Sequence, residues 1–167
     1  LASLMEFYPE PELKKYLNKS CKFLSHFVHP DGSFGGLYGS RGTQLYYPAG
    51  FEILGKNVPF ARAIANYMSK SIKNKETVTL ASVDEPNLIP MFNVYCRAAV
   101  EFEKQKTTHR AIKLPCERRQ KYRKFWPIAG LLIDSSHSHY TVISTHRGGV
   151  TYHFNNKKRE LIDTGIL

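Results

Sequence analysis

The hydrophobic period of this chain changes once, near Trp126, and that change limits the folds open to the chain. Before Trp126, apolar residues recur at spacings of three and four, the period of amphipathic helices. After it they recur at every second residue, the period of strands that bury one face. The sequence therefore predicts the α+β class, with an N-terminal helical layer followed by a small antiparallel β-meander or sandwich portion.

The helical pattern is clearest in three segments, and a fourth is shorter. Helices are predicted over residues 11–28, 60–72, 88–102 and 49–54, and the turn signal His-Pro-Asp-Gly at 29–32 ends the first of them. Strands are predicted over residues 129–133, 140–145, 150–154 and 160–164. So small a meander needs a cover on one face, and we expect the helical portion to provide it.

The positive charge of the chain is concentrated in one block. The formal net charge is +10, and residues 104–124 hold nine Lys and Arg against one Glu. We therefore divide the chain into a helical portion (1–103), a basic linker (104–124) and an antiparallel β portion (125–167). The block is either a solvated connector or a surface that attracts a polyanion.

Composition excludes several classes of protein. A hydrophobic fraction of 42% excludes general disorder. The sequence contains no long uncharged apolar run, so it predicts no helix that spans a membrane. Three cysteines without a CxxC pair, and the lack of a signal-peptide pattern, favour a cytoplasmic location. The chain opens with Leu1 and stops in what reads like a strand cut short, so we expect a fragment whose missing remainder is one of its partners.

Residues 29–52 are unlike the rest of the chain. Five glycines fall within eleven positions (32, 35, 36, 39 and 42), interleaved with aromatic side chains and one arginine. Loops between helices often collect binding residues, aromatic rings offer flat platforms for sugar faces, and arginine grips a carboxylate with two parallel bonds. We expect this segment to form a polar, ring-lined hollow open to a ligand.

The motifs Pro-Asp-Gly-Ser-Phe-Gly-Gly at 30–36 and Tyr-Gly-Ser-Arg at 38–41 resemble the inter-helix loops of α/α-toroid proteins. The run Phe-Trp-Pro-Ile-Ala-Gly-Leu-Leu-Ile at 125–133, with the later Arg-Gly-Gly at 147–149, resembles the start of a β-sandwich that follows such a toroid. The order is similar to that of heparinase II/III-like and alginate-lyase-like proteins. The resemblance implies a partial α/α-toroid and a polysaccharide lyase that acts on an acidic, uronate-containing polysaccharide.

The resemblance also implies roles for particular residues. In such lyases a tyrosine donates the proton, and His, Asn or Arg neutralises the uronate. Carried over to this sequence, the catalytic candidates are Tyr38, Arg41, His29 and Tyr46, with His26 as an alternative base and Tyr47 as an alternative acid. The candidates for substrate binding are Phe34, Tyr47, Gln44 and Asp31.

Two histidines in the β portion are weak metal candidates. His137 and His139 lie two residues apart, so on a strand both imidazoles would share one face, a spacing able to hold Zn²⁺ with a third ligand. The plainer interpretation is a polar turn that faces water. We expect no cofactor.

Two alternatives to a lyase stay open. The first is a non-catalytic carbohydrate-binding or polysaccharide-assembly domain, which keeps the loop but has lost the acid and base. The second is a nucleic-acid binder that uses the basic segment 104–124, with Tyr122, Phe125 and Trp126 as stacking groups. The expected partner in the first case is an acidic polysaccharide, and in the second another polyanion.

Overall fold

The computed structural model describes residues 1–39, 44–104, 112–146 and 149–165, and these confirm the α+β class. The helices of this part of the chain are α1 (Leu4–Phe7), α2 (Pro11–Leu24), α3 (Ala49–Leu54), α4 (Pro59–Lys73), α5 (Glu85–Glu103) and α6 (Pro115–Arg118). The strands are β1 (Tyr122–Trp126), β2 (Leu131–Ser135), β3 (His139–Ser144), β4 (Thr151–Asn155) and β5 (Glu160–Asp163). The helical portion thus precedes the antiparallel one, as predicted.

The three long helices begin where the sequence offers a proline. Each of α2, α4 and α5 has a proline in its first turn, where the missing N–H removes no helical hydrogen bond. Helix α2 ends earlier than predicted, because the chain tightens into a 3₁₀ turn over Ser25–Phe27. The helices α1 and α6 were not predicted, since four residues are too few to show a period.

The five strands form one antiparallel sheet in sequence order, β1-β2-β3-β4-β5, which is a simple meander. Strand β1 was missed as a strand, and it begins at Tyr122 inside the segment that the sequence analysis assigns to the basic linker. It is an edge strand, and charged side chains such as Arg123 and Lys124 are common at edges because they discourage further pairing.

One hydrophobic core joins the helical layer to the sheet. Alternate residues of β4, Tyr152 and Phe154, are buried, as are Tyr140 and Val142 of β3. They pack in the same cluster as α4 side chains such as Met68. The helices therefore cover one face of the meander, which confirms the expectation that the sheet needs such a cover.

Two glycines of the loop after α2 allow the chain to approach its neighbours closely. A Cβ on Gly36, whose φ is +155°, would lie 2.8 Å from the Tyr152 ring. A Cβ on Gly32, whose φ is +95°, would lie 2.6 Å from Cβ of Glu76. These glycines are therefore explained by packing against the rest of the protein.

Among the helices described here, none has both the length and the apolar character that crossing a bilayer requires.

Candidate functional site

The glycine-rich segment folds inward. The side chains of His29, Tyr38 and Tyr46 are buried, with exposed fractions of 0%, 7% and 1%. None of the three lines either of the two cavities of about 540 Å³ in the described part of the protein. The expectation of an open hollow is therefore wrong for these residues, because strand β4 packs onto His29 and Tyr38, while Tyr46 packs against Phe34 and Phe51. Their catalytic roles stay predictions.

A chain of hydrogen bonds links four residues of this buried loop. Ser33 Oγ donates to Asp31 Oδ1 at 2.7 Å, so it accepts from His29 Nδ1 at 2.8 Å. The other ring nitrogen, Nε2, then accepts from the Tyr38 hydroxyl at 2.6 Å. Burial lowers the pKa of His29 to about 3 and raises the pKa of Tyr38 well above its usual range. Both groups are therefore neutral near pH 7.

The other candidates of this segment have different surroundings. Phe34 is half-buried and packs edge-on against Tyr46 and Phe51, with ring centroids 5.6 and 5.9 Å apart. Gln44 and Asp31 are also half-buried, and Tyr47 is 37% exposed. Arg41 lies outside the described residues. The structure thus joins His29, Tyr38 and Asp31 in one network, and it places Phe34 with Tyr46 in an aromatic cluster.

An open cavity lies elsewhere, between α2 and β1, and we call it the basic cavity. It has a volume of about 540 Å³. It is lined by Lys19, Lys22, Phe23, His26, Phe60, Pro115, Arg118, Gln120, Tyr122, Lys124 and Trp126. Every charged side chain in this lining is a lysine or an arginine, so the cavity favours a negatively charged ligand.

Local periodicity explains how the walls of the basic cavity form. On the helix side, the lining residues after Lys19 follow at spacings of three, four and seven, at positions 22, 23 and 26. These spacings place all four on one face of α2 and its 3₁₀ extension. On the strand side, residues 122, 124 and 126 alternate along β1 and so share one face, and Gln120 precedes the strand. Trp126 of β1 contacts the helix side directly, because its ring packs edge-on against Phe23 and His26, with ring centroids 5.2 and 4.8 Å apart.

His26 and Tyr122 meet in the wall of the basic cavity. His26 Nδ1 lies 2.9 Å from the carbonyl oxygen of Lys22 and 3.2 Å from that of Phe23. A carbonyl only accepts, so Nδ1 carries the proton and Nε2 is left as an acceptor. The Tyr122 hydroxyl, 2.9 Å from Nε2, therefore donates to it.

The surroundings of this pair keep both groups neutral. Burial lowers the pKa of His26, and the positive charges of Lys124 and Arg118 lower it further, against the raising effect of the two carbonyl bonds. Burial also raises the pKa of Tyr122, while Arg118 opposes that shift. A neutral imidazole accepts a proton, and a neutral phenol that donates to it can pass one on. The pair can therefore act as a two-group proton relay at the wall of a positively charged cavity.

Sequence reasoning reached only parts of this site. It named His26 as an alternative base, and it named Tyr122 and Trp126 only as stacking groups for a nucleic acid. The four cations were missed as a group, because two belong to a helix and two to the basic block. Residues 120–126 carry no apolar–polar alternation, so the sequence held no usable signal for the strand wall.

Of the two metal candidates, only His139 lies beside another potential ligand, Asp134. His139 Nε2 lies 2.9 Å from Asp134 Oδ2, and its Nδ1 lies 2.9 Å from Ser136 Oγ. His137 is exposed. Over the described ranges, no group of three or more His, Cys, Asp or Glu side chains is placed to hold a metal ion.

Comparisons of the chain with protein-family models, with curated proteins and with solved structures find no match. The resemblance to heparinase II/III-like and alginate-lyase-like proteins gains no support from them. The functional argument therefore depends on the site itself.

Proposed function

We propose that the basic cavity binds an acidic, uronate-containing polysaccharide, and that Tyr122 and His26 act there as the proton relay of a β-elimination. The helical layer, in this proposal, is part of an α/α-toroid that holds the polysaccharide. The observation that carries the proposal is the 2.9 Å hydrogen bond between the two side chains, in a cavity whose charged lining residues are all cations.

The lining suits a polysaccharide of this kind for two reasons. The cations at positions 19, 22, 118 and 124 match a ligand that carries a carboxylate on successive sugars. The rings of Phe23, Tyr122 and Trp126 offer apolar surface for the sugar faces. A volume of about 540 Å³ has room for one or two sugar rings.

In this proposal the elimination passes one proton along the hydrogen bond between Tyr122 and His26 and back again. Tyr122 Oη takes the proton from the carbon beside the uronate carboxyl while its own proton moves to His26 Nε2. The electron pair of the broken C–H bond forms a C4–C5 double bond, and the C4–O bond breaks. The proton then returns from His26 through Tyr122 to the leaving oxygen. Atoms and charges balance, and no other reactant is needed.

Arg118 and Lys124 supply the electrostatic part of this mechanism. Both line the cavity beside the relay, and their charges add to the larger effect of burial in lowering the pKa of His26. Negative charge grows on the uronate carboxyl as its neighbouring proton leaves, and a cation fixed nearby stabilises that charge. Burial, with a smaller contribution from these cations, lowers the pKa of His26 and so keeps it neutral before the substrate is bound.

The experiment compares Tyr122→Phe with Tyr16→Phe on a panel of uronate polysaccharides, with the ultraviolet absorbance of the unsaturated product as the readout. Tyr16 is an exposed tyrosine of α2 that does not line the cavity, so it is the matched control. We expect Tyr122→Phe to lower turnover by about 100-fold or more, the usual contribution of a general acid–base group, and Tyr16→Phe to leave it unchanged. Equal turnover in Tyr122→Phe and the wild type would remove the relay from consideration.

Binding measurements on the same samples separate the lyase from the non-catalytic alternative. We expect Lys22→Ala and Lys124→Ala to weaken binding of the polysaccharide, and Lys14→Ala, on α2 outside the cavity, to leave it unchanged. Saturable binding without any unsaturated product would identify a carbohydrate-binding domain. No binding of any uronate polysaccharide would overturn the proposal as a whole.

A nucleic acid is the second candidate ligand, and one contact favours it. Lys124 Nζ lies 5.8 Å from the centre of the Trp126 ring, so a cation and a stacking platform lie side by side on β1. A single-stranded oligonucleotide that binds more tightly than every polysaccharide, with an affinity that falls steeply as salt is raised, would favour this function.

A further inference from the structure

A second cavity lies on the other side of α6, and we call it the Arg159 cavity. Its volume is about 540 Å³. It is lined by Pro30, Tyr67, Lys70, Ser71, Asn74, Glu76, Lys113, Cys116, Glu117, Arg119, Asn156 and Arg159. Helix α6 contributes to both cavities, because Pro115 and Arg118 line the basic cavity while Cys116 and Glu117 line this one. The lining holds four cations and two carboxylates, so it differs from the all-cationic basic cavity.

The Arg159 guanidinium is held at one end and leaves donors at the other. Its Nε donates to the carbonyl oxygen of Pro30 at 2.7 Å. Its Nη2 lies 3.4 Å from the Tyr67 hydroxyl and 3.7 Å from Glu76 Oε2. Tyr67 is itself fixed, since its hydroxyl donates to the carbonyl oxygen of His29 at 2.8 Å. Within the described residues, Nη1 has no hydrogen-bond partner, and a fixed guanidinium of this kind suits an oxyanion.

Three further cations of the cavity have no partner among the described side chains. No hydrogen bond or ion pair joins the charged ends of Lys70, Lys113 and Arg119 to another residue in that part of the protein. All three side chains are exposed, so they lie at the rim and can turn towards a ligand. Four positive charges converge on the cavity, and Glu76 and Glu117 offset two of them.

Polar groups of the cavity wall suit the rest of a ligand that carries such an anion. Asn156 is 1% exposed, and its amide nitrogen donates to the carbonyl oxygens of Ser136 and His139 at 2.8 and 2.9 Å. Its Oδ1 is buried and has no hydrogen-bond partner. A buried acceptor without a partner is unfavourable, and a donor hydroxyl supplied by a ligand would satisfy it.

We propose that the Arg159 cavity is a second binding site, specific for a phosphate or sulfate group carried by a molecule of about one sugar ring. The guanidinium of Arg159 and the three rim cations bind the tetrahedral oxyanion. Glu76 and Asn156 accept hydrogen bonds from hydroxyl groups beside it. The cavity is larger than an inorganic ion needs, and that is why a ring-sized carrier is part of the proposal.

The experiment measures binding of inorganic phosphate, inorganic sulfate and glucose 6-phosphate to the whole chain by calorimetry and by NMR shift mapping. We expect glucose 6-phosphate to bind more tightly than either inorganic ion. Lys70→Ala and Arg119→Asn should each weaken its binding by about tenfold, the size expected for one charge-assisted contact. Asn is chosen at 119 because the backbone φ there is +48°, a conformation that Asn tolerates.

Two control variants keep this test sharp. Lys73 lies three residues after Lys70 on α4 and is exposed, but it does not line the cavity, so Lys73→Ala should leave the affinity unchanged. Lys124→Ala alters only the basic cavity, so this variant should also leave the affinity for glucose 6-phosphate unchanged. That result would separate the Arg159 cavity from the proposed polysaccharide site. No saturable binding, or equal losses in the control variants, would overturn the proposal. Equal affinity for the inorganic ions and the sugar phosphate would contradict the proposal that the ligand is a ring-sized molecule.

Discussion

In the part of the chain that the structure describes, two histidine–tyrosine pairs share one bonding pattern, but one lies in the core and the other in the wall of a cavity. In the glycine-rich loop, His29 Nε2 accepts from Tyr38 at 2.6 Å, and both side chains are sealed in the core. In the wall of the basic cavity, His26 is also only 7% exposed, but its Nε2 accepts from the half-buried Tyr122 at 2.9 Å, and both residues line the cavity together with exposed cations. The chemistry of the two pairs is alike, so the packing around each one decides which can meet a substrate.

The two histidines also have lowered pKa values for different physical reasons. His29 is surrounded by rings, with Phe154 stacked at 4.6 Å and Tyr152 at 5.9 Å, and burial alone lowers its pKa. The pKa of His26 is lowered by burial together with two cations that a ligand can reach. The first environment stabilises the fold, and the second is suited to acid–base chemistry.

The largest expected effect in the buried region follows from Phe154→Ala. Phe154 is fully buried against His29, so its truncation leaves a cavity, and we expect a loss of about 3–5 kcal/mol in the free energy of unfolding. Denaturant titration measures it. Phe125→Ala is the control, because Phe125 is 50% exposed and its truncation should cost less than about 1 kcal/mol. Similar losses of unfolding free energy in the two variants would contradict the burial of Phe154 in the core.

A smaller effect distinguishes the two tyrosines. Tyr38→Phe leaves His29 Nε2 without a partner inside the core, and we expect it to lower the free energy of unfolding by about 1–3 kcal/mol. Tyr122→Phe leaves His26 Nε2 at the open cavity, and we expect a loss below about 1 kcal/mol, although it is the variant that should lose turnover. Denaturant titrations of both variants measure the difference. A larger loss of unfolding free energy for Tyr122→Phe than for Tyr38→Phe would contradict this prediction.

A third effect is a pH dependence of stability caused by His29, and it accumulates as the pH falls. The folded pKa is about 3 and the usual value is 6.5, so between these values the unfolded chain binds more protons. Stability therefore falls as the pH is lowered from 6.5 towards 3, by up to about 1.4 kcal/mol per pH unit. Unfolding titrations across this range, compared between wild type and His29→Gln, isolate the contribution. Parallel profiles for the two proteins would contradict it.

Much of the fold could be predicted because its signals are local. The helices over 49–54, 60–72 and 88–102 and the four later strands show their period within a few residues. The elements that were missed have weak local signals, since α1 and α6 are four residues long and β1 is an edge strand rich in charge. The end of α2 was placed late because a 3₁₀ turn continues its apolar stripe.

The candidate site could be predicted only in part. His26 and Tyr122 are 96 residues apart, and no spacing rule joins them. The glycine-rich segment carried the stronger sequence signal for a site, but Gly32 and Gly36 serve close packing against Glu76 and Tyr152. A pattern of glycines and rings does not state whether a loop faces water or the core.

The amino-acid sequence by itself determined the α+β order of the chain, the meander and the block of positive charge, because periodicity and charge are properties of neighbouring residues. Only the tertiary structure decided which histidine–tyrosine pair is sealed and which faces a cavity. That choice depends on how the sheet packs onto the helical layer, and burial arises from contacts between distant parts of the chain.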